Sequence, residues 1–316
     1  MLIIDSVSFS YDSTIALDTI NLQLESGKVI AVIGESGCGK STLLKLIYGL
    51  MDVHHGQILW NNTVVVGPKY RLVPGMEMMK YLAQDFDLMP YITVAENVGI
   101  FLSNTNFAQK LHRINELLEV VEMAEFANHK TKNLSGGQMQ RVALAKALAL
   151  QPEVLLLDEP FSHIDSSRKN RLRRNLFNFV KQNKITVVIA THDSTDVLQF
   201  ADDIVVLQNG KLVQHGTTKQ IYDAPENYYV AGLFGDVNNI SSVYFEAELK
   251  PKNALLFPHQ LVCVAQSKLK VKVKQSVFKG SCYLIEATYD QGTLYFEHGT
   301  FIDAGTIIYL SKKPQN

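Results

Sequence analysis

Residues 34–42 read Gly34-Glu35-Ser36-Gly37-Cys38-Gly39-Lys40-Ser41-Thr42, and no other stretch of the chain limits its possible folds as tightly. They follow an apolar β-type run, Val29-Ile30-Ala31-Val32-Ile33, and precede an apolar helical one, Leu43-Leu44-Lys45-Leu46-Ile47. Glycines at 34, 37 and 39 allow a tight turn whose N–H groups point inward, where a Cβ would obstruct the turn or an approaching anion. The helix that begins here adds the positive end of its dipole, equivalent to roughly half a unit charge. Lys40 is placed to reach the β- and γ-phosphates of a nucleoside triphosphate, and the Ser41 hydroxyl to bind Mg²⁺.

With 316 residues, 47% of them apolar and 19% charged, the chain has material for one large domain and a small one, or for two of moderate size. A formal net charge of −1 gives no overall attraction to nucleic acid, and no nucleic-acid partner is expected. The cysteines, Cys38, Cys263 and Cys282, are too few and too scattered for a disulfide framework or a metal cluster, and they read as free thiols of a reduced cytosolic protein. No segment approaches the roughly 20 consecutive apolar residues that span a bilayer, and the N-terminus lacks the layout of a signal peptide. Any work at a membrane would need another protein to hold the chain there.

Residues 2–24 alternate apolar and polar positions about a turn at Asp12-Ser13, an antiparallel lead-in. Tyr11 sits at that turn, where an aromatic ring can stack on a purine. Residues 56–62 read as a strand with a turn, and an apolar stretch at 77–83 ends at Gln84. Residues 95–98 and 111–126 carry helical spacing (Leu111, Ile114, Leu117, Leu118, Val121), a helical layer beside the nucleotide core. The run Glu153-Val154-Leu155-Leu156-Leu157-Asp158-Glu159-Pro160 reads as a buried parallel strand that delivers two carboxylates to its C-terminal edge, where ligands of open α/β sheets bind. A second such strand, residues 185–190, delivers Thr191-His192-Asp193 to the same edge, and Asn209-Gly210 marks a hairpin.

Beyond residue 235 the pattern changes to short strands at 243–249, 261–265, 269–277, 282–289, 293–296 and 306–310, a small all-β unit of the oligonucleotide/oligosaccharide-binding (OB) barrel kind. Lys268, Lys270, Lys272 and Lys274 alternate there with apolar residues and read as a solvated edge that discourages aggregation, ahead of an anion site. The run Arg168-Lys169-Asn170-Arg171-Leu172-Arg173-Arg174 reads as a solvated helix face ahead of a nucleic-acid site.

The most specific addition is Leu134-Ser135-Gly136-Gly137-Gln138, a glycine pair behind a serine at the entrance of an Ala/Leu-rich helix and a second anion-seeking nest. The loop at 34–42, this stretch and the Leu-Leu-Leu-Asp-Glu-Pro strand, in that order, resemble an ATP-binding cassette (ABC) ATPase over residues 1–235. The resemblance implies an α/β P-loop cassette with a mixed sheet core, an antiparallel β lead-in and a helical subdomain, followed over 236–316 by a small OB-like transport-associated (TOBE) domain. It implies ATP and Mg²⁺ as ligands. Tyr11 would stack on adenine, residues Gly34 to Thr42 would cradle the phosphates, and Ser41, Gln84 and Asp158 would serve the Mg²⁺. Glu159 would be the general base, His192 the switch histidine on the γ-phosphate, and Lys40 and Gln84 further members of the catalytic set.

The resemblance also implies a head-to-tail dimer in which Ser135, Gly136, Gly137 and Gln138 of one copy cap the γ-phosphate held by Lys40 of the other. Asp165, in Ser162-His163-Ile164-Asp165, matches the loop that communicates between the two sites, although His163 stands where a small residue is usual. The absence of a long coiled-coil insertion or a second cassette, together with the junction at 224–235, resembles importer ATPases held at the cytoplasmic face by integral membrane permease subunits and served by a solute-binding protein. The overall resemblance leans toward ferric iron or a polyamine as cargo. The tail has Phe257-Pro258-His259 where Arg-Pro-Glu is common, which leaves a spacer or dimerisation role beside a regulatory one. From another class, a soluble ABC ATPase that remodels a protein or nucleic-acid partner is the alternative.

Overall fold

The computed structural model describes residues 1–83, 86–162, 164–245 and 253–314. Its contacts divide the chain into two compact units, Met1–Ile221 and Tyr222–Asn316, so that residue 235 falls inside the second. The first unit begins with β1 (Leu2–Tyr11), β2 (Thr14–Leu24), β3 (Val29–Ile33), α1 (Lys40–Tyr48), β4 (His55–Trp60), β5 (Thr63–Val64) and β6 (Met79–Leu82). The helices α2 (Val94–Gly99), α3 (Phe107–Val120) and α4 (Gly136–Leu148) follow. It closes with β7 (Val154–Asp158), α5 (Ser166–Gln182), β8 (Thr186–Ala190), α6 (Ser194–Phe200), β9 (Asp203–Gln208), β10 (Lys211–Thr217) and most of α7 (Thr218–Asp223).

Two sheets result, a four-stranded antiparallel one of order β2-β1-β4-β5 and a six-stranded one of order β10-β9-β3-β8-β7-β6. In the larger sheet every pairing is parallel except β9 with β10, which the Asn209-Gly210 turn joins as a hairpin. Every residue of β3, β7 and β8 is buried, as continuous apolar strands covered on both faces require. One hydrophobic cluster runs from Leu2, Ile4 and Leu22 of the lead-in sheet, through Leu43, Leu44 and Ile47 of α1, to Ile30, Val32, Leu156 and Val188 of the larger sheet. The helix after the glycine loop is therefore held by both sheets.

The helical layer forms, with bounds that differ from the sequence reading. α3 ends at Val120, and residues 124–126 make a separate 3₁₀ turn. Glu122, at φ 55°, turns the chain out of the helix. α2 begins with a full capping box, Thr93 accepting from the Glu96 N–H while the Glu96 carboxylate accepts from the Thr93 N–H.

The second unit contains α8 (Tyr228–Gly232), β11 (Asn238–Ser241), β12 (Asn253–Leu256), β13 (Leu261–Val264), β14 (Leu269–Phe278), β15 (Tyr283–Tyr289), β16 (Gly292–His298) and β17 (Ile307–Lys312). β11 pairs with β12, and the other strands form an antiparallel sheet of order β13-β17-β14-β15-β16. Two expectations need correction here. The strand at 243–249 is not present over its described part, because Ser242–Tyr244 form a 3₁₀ turn; residues 246–249 lie outside the described residues. The lysine ladder is not an edge, since β14 pairs with β15 on one side and β17 on the other. Lys270, Lys272 and Lys274 instead cover the exposed face of an interior strand whose Leu269, Val271 and Val273 fill the core. Lys274 is also paired with Glu286 at 2.6 Å.

Trp60, the single tryptophan, is 2% exposed and its indole N–H donates to Glu153 at 2.9 Å. Its fluorescence therefore reports on the first unit. Leu156→Ala, at a fully buried position of β7 in the same cluster, is expected to destabilise that unit by about 2–5 kcal/mol in denaturant titrations followed by Trp60 emission.

Candidate active site

The candidate site lies where β3, β8 and β7 end level with one another. Val32 pairs with Ala190, and Ala190 with Asp158, so one row of the sheet crosses all three strands. The next backbone bonds continue the ladder, from the Thr191 N–H to Val32 and from the Glu159 N–H to Ala190. The chain leaves this row as the glycine loop after β3, as Thr191-His192 after β8 and as Glu159 after β7.

Within the loop, Glu35, Ser36 and Gly37 are exposed, whereas Gly34, Cys38, Lys40 and Thr42 are buried. Gly39 caps α1 at φ 108°, and a Cβ there would stand 2.7 Å from both the Ala16 carbonyl and a Leu17 methyl. Only glycine meets both demands. No side chain caps α1 and no acidic residue lies in its first turn, which leaves its N–H groups for an anion. The Lys40 ammonium curls back to donate to the carbonyls of Gly34 and Glu35 at 2.8 and 2.9 Å, with the Cys38 sulfur at 3.9 Å. Burial pushes the Cys38 thiol above its ordinary pKa, with Lys40 opposing, so it stays protonated. The Tyr11 ring is exposed, and its hydroxyl lies 3.4 Å from the Thr42 hydroxyl, which brings this turn aromatic beside the loop.

The Ser41 hydroxyl donates to Asp158 at 2.9 Å, and the other oxygen of the same carboxylate accepts from the Tyr81 hydroxyl at 3.2 Å. A hydroxyl and a carboxylate suit a hard cation that takes few protein ligands and completes its shell with phosphate and water, as Mg²⁺ does. Among the described residues no cluster of three or more His, Cys, Asp or Glu side chains forms a cage of its own. Gln84, expected to serve the same cation, lies outside the described residues.

Glu159 adopts φ 51°, a left-handed conformation costly for a non-glycine residue and typical of functional turns. The Gln140 amide of α4 and the Ser162 hydroxyl both donate to its carbonyl, at 3.1 and 3.0 Å. Its carboxylate meets His192 Nδ1 at 2.8 Å. The histidine side chain is 74% exposed against 18% for the glutamate, so His192 is the outer partner of the pair. A small cavity of about 110 Å³ is lined by both and by Ser162 and Thr191. Asp165 stands at the N-terminus of α5, and His163 lies outside the described residues.

Ser135 and Gln138 close a capping box on α4, Ser135 accepting from the Gln138 N–H at 3.3 Å and Gln138 from the Ser135 N–H at 2.8 Å. Ser135 is exposed and Gly136, Gly137 and Gln138 are half-buried, so this helix start faces outward. Its link to the carboxylate pair runs through Gln140, which sequence reasoning did not single out. Gly210 was also read only as a turn residue. Its N–H donates to the Cys38 carbonyl and its carbonyl accepts from the Asp18 N–H, bracing the glycine loop against the lead-in sheet.

Only part of the basic run on α5 is the solvated face its spacing implied: Asn170, Arg171 and Arg174 are exposed, whereas Lys169 and Arg173 turn inward. Arg173 is 2% exposed and pairs with Asp193 at 2.6 Å and with the Asp196 carboxylate, while Lys169 reaches Asp193 at 2.8 Å. Arg171 pairs with Glu122. Two aspartates that follow His192 thus draw Lys169 and Arg173 inward. Burial raises the pKa of Asp193, but the hydrogen bonds from Lys169 and Arg173 outweigh it and hold the group well below the usual carboxylate range. Asp196 is pushed up to about 6 by burial against the pull of Arg173, with Asp193 adding to the rise.

A glycine loop between a buried strand and a helix, with a serine, an aspartate and a glutamate–histidine pair gathered at one sheet edge, defines a P-loop nucleoside triphosphatase fold. The comparisons narrow the class. The ABC transporter family profile matches residues 17–162. The sulfate/thiosulfate import ATP-binding protein CysA of Synechocystis sp. is 38% identical over 258 residues, 81% of this chain and 69% of that protein. The spermidine/putrescine import ATP-binding protein PotA of Salmonella typhimurium is 35% identical over 249 residues, 78% of this chain and 65% of that one. Among solved structures, the dimeric ATP-binding cassette MJ0796 in a post-hydrolysis state bound to ADP and Pi aligns with a TM-score of 0.59 at 28% identity, over 69% of this chain and 99% of that one. The chain belongs to the ABC transporter family and is an ATPase of that family.

Removing the buried cation of the α5–α6 network would strand Asp196 without a counter-charge. Arg173→Met is expected to cost about 3–5 kcal/mol in chemical denaturation, and the double variant Arg173→Met/Asp196→Leu to recover most of that loss.

Proposed function

We propose that the chain is the ATP-hydrolysing subunit of an importer, paired head to tail with a second copy of itself. It would be seated at the cytoplasmic face of the membrane on integral permease subunits and would drive uptake of a solute brought by a solute-binding protein. The observation that carries the catalytic part is the Glu159–His192 contact at 2.8 Å, at the same sheet edge as the Lys40 loop. The import part is supported by the names of the relatives. Among the described residues no helix is long and apolar enough to cross a membrane, which fits attachment through partners.

In this reading the backbone amides of Gly34 to Thr42 and the Lys40 ammonium hold the β- and γ-phosphates. Lys40 exchanges its bonds to the Gly34 and Glu35 carbonyls for phosphate oxygens. Tyr11 stacks on the adenine. Ser41 and Asp158, with Gln84, would hold Mg²⁺, whose charge would offset that of the phosphates. Glu159 orients the attacking water and accepts its proton. His192 steadies that carboxylate and contacts the γ-phosphate. Ser135, Gly136, Gly137 and Gln138, presented outward at the start of α4, would close the site of the partner copy. Because phosphoryl transfer needs little covalent help, positioning and charge neutralisation supply most of the acceleration.

The two relatives' names divide between an oxyanion and a polyamine, and neither names iron. The cargo is therefore proposed at the level of a small ionic solute. The β-rich unit after residue 235 is proposed as an accessory domain of the same subunit.

Glu159→Gln is expected to bind ATP with unchanged affinity and to lose about 10²- to 10⁴-fold in turnover. Steady-state hydrolysis at the parent rate would remove Glu159 from the mechanism. For the transport assignment, affinity capture of tagged full-length chain from detergent-solubilised native membranes is expected to bring down a multi-span permease. Capture of soluble partners alone, with ATPase activity intact, would overturn it.

A further inference from the structure

β6 and β7 are parallel neighbours in which Tyr81 pairs with Leu156, so Tyr81 shares a sheet face with Leu156 and with Asp158 two residues on. That face is the one packed on α1, whose residues join Leu156 in the same cluster as Tyr81 and Tyr48. The Tyr81 hydroxyl reaches along it to donate to Asp158 Oδ2 at 3.2 Å, while Ser41 donates to Oδ1 at 2.9 Å. Asp158 is 5% exposed, so water does little to solvate it and each oxygen depends on a protein donor. Rotation of the carboxylate would break both bonds at once.

The Tyr81 ring is itself held. It lies against the Tyr48 ring, with centroids 5.7 Å apart and planes inclined by 33°. Tyr48 is the last residue of α1, the helix whose first turn carries Ser41. Gly75, at φ 85°, sits so close to Tyr48 that a Cβ there would fall 2.4 Å from the ring. Both ends of one nine-residue helix therefore address the same carboxylate, directly through Ser41 and through the Tyr48–Tyr81 pair.

We infer that Tyr81 is a positioning residue for the divalent cation, fixing the rotation of the Asp158 carboxylate so that the Ser41 hydroxyl and Asp158 present a preset pair of oxygens. The inference rests on the assignment of Ser41 and Asp158 to that cation. Tyr81 is not proposed to touch the cation or the phosphates; its hydroxyl acts through Asp158. Outer partners of this kind set metal affinity through the orientation of the inner ligand.

The test uses full-length protein with ADP and Mn²⁺, which avoids turnover. Mn²⁺ binding to the protein–ADP complex is read by electron paramagnetic resonance, and ADP binding in EDTA by calorimetry. Tyr81→Phe keeps the ring stack and removes only the hydroxyl. It is expected to weaken Mn²⁺ binding about 10-fold or more, with metal-free ADP affinity unchanged. Unchanged Mn²⁺ affinity overturns the inference, and so does an equal loss of ADP affinity in EDTA, which would mark a general disturbance of the loop. Asp158→Asn separates the two levels of the argument. Parent-like Mn²⁺ binding in that variant overturns the assignment of Asp158, whereas loss there with none in Tyr81→Phe overturns only the role of Tyr81.

Discussion

The parallel register of β3, β8 and β7 is the constraint from which the candidate site follows. Val32, Ala190 and Asp158 occupy one row, so the residues after them emerge together although they are far apart in sequence. A slip of one residue in any of these strands would exchange its two faces. Asp158 would then leave the α1 face and lose Ser41, and Leu156 would leave the main cluster. Burial on both faces makes such a slip expensive, so hydrophobic packing and the placement of the candidate site are specified by the same register.

The charge arrangement follows from that placement. The site gathers a cation, two carboxylates and a histidine at one sheet edge, and on its buried side, at Lys40 and Asp158, an unpaired ion would be costly. Each has a partner within the chain: Lys40 two carbonyls, Asp158 two hydroxyls, Glu159 the histidine. The bonds of Lys40 are to neutral carbonyls, the weaker kind for an ammonium, and a phosphate oxygen offers a stronger charge-assisted one. Nucleotide binding as proposed would exchange partners more than create new desolvation.

The placement of most candidate-site residues at one sheet edge was legible because they lie on local patterns. The glycine loop stands between an apolar run and a helix, and Asp158-Glu159 and His192 each end an apolar strand, so period and position alone send them to one edge. The residues that escaped reading act across long sequence separations. Tyr81 meets Asp158 from 77 positions away. Arg173 looked solvated because helical spacing gives the face of a residue only relative to its own helix; what buries it is Asp193 and Asp196 beyond the next strand. Gly210 is a good hairpin residue on any sequence argument, and nothing local says that its peptide also braces the loop at Cys38. In the second unit alternation in β14 located a strand and its core side, while its place in the interior of the sheet depended on pairings with β15 and β17 that no single strand encodes.

Burial divides the chemistry of the site in two. Lys40, Thr42 and Asp158 are buried and braced, so the groups proposed to hold phosphate and cation are set by the fold of one chain. Glu159 is partly open, His192 is largely exposed and the Ser135 helix start faces outward. A general base works best where bulk water is excluded and the surrounding dipoles are fixed. In a single chain that condition is met on the binding side and not on the hydrolytic side, so a surface that covers His192 would raise turnover with little effect on affinity. In the proposed head-to-tail pairing a second copy presenting its own Ser135–Gln138 turn would supply such a surface, and hydrolysis would become conditional on closure while binding would not. That separation is what a transport cycle requires of its ATPase, since binding energy and hydrolysis must act at different moments.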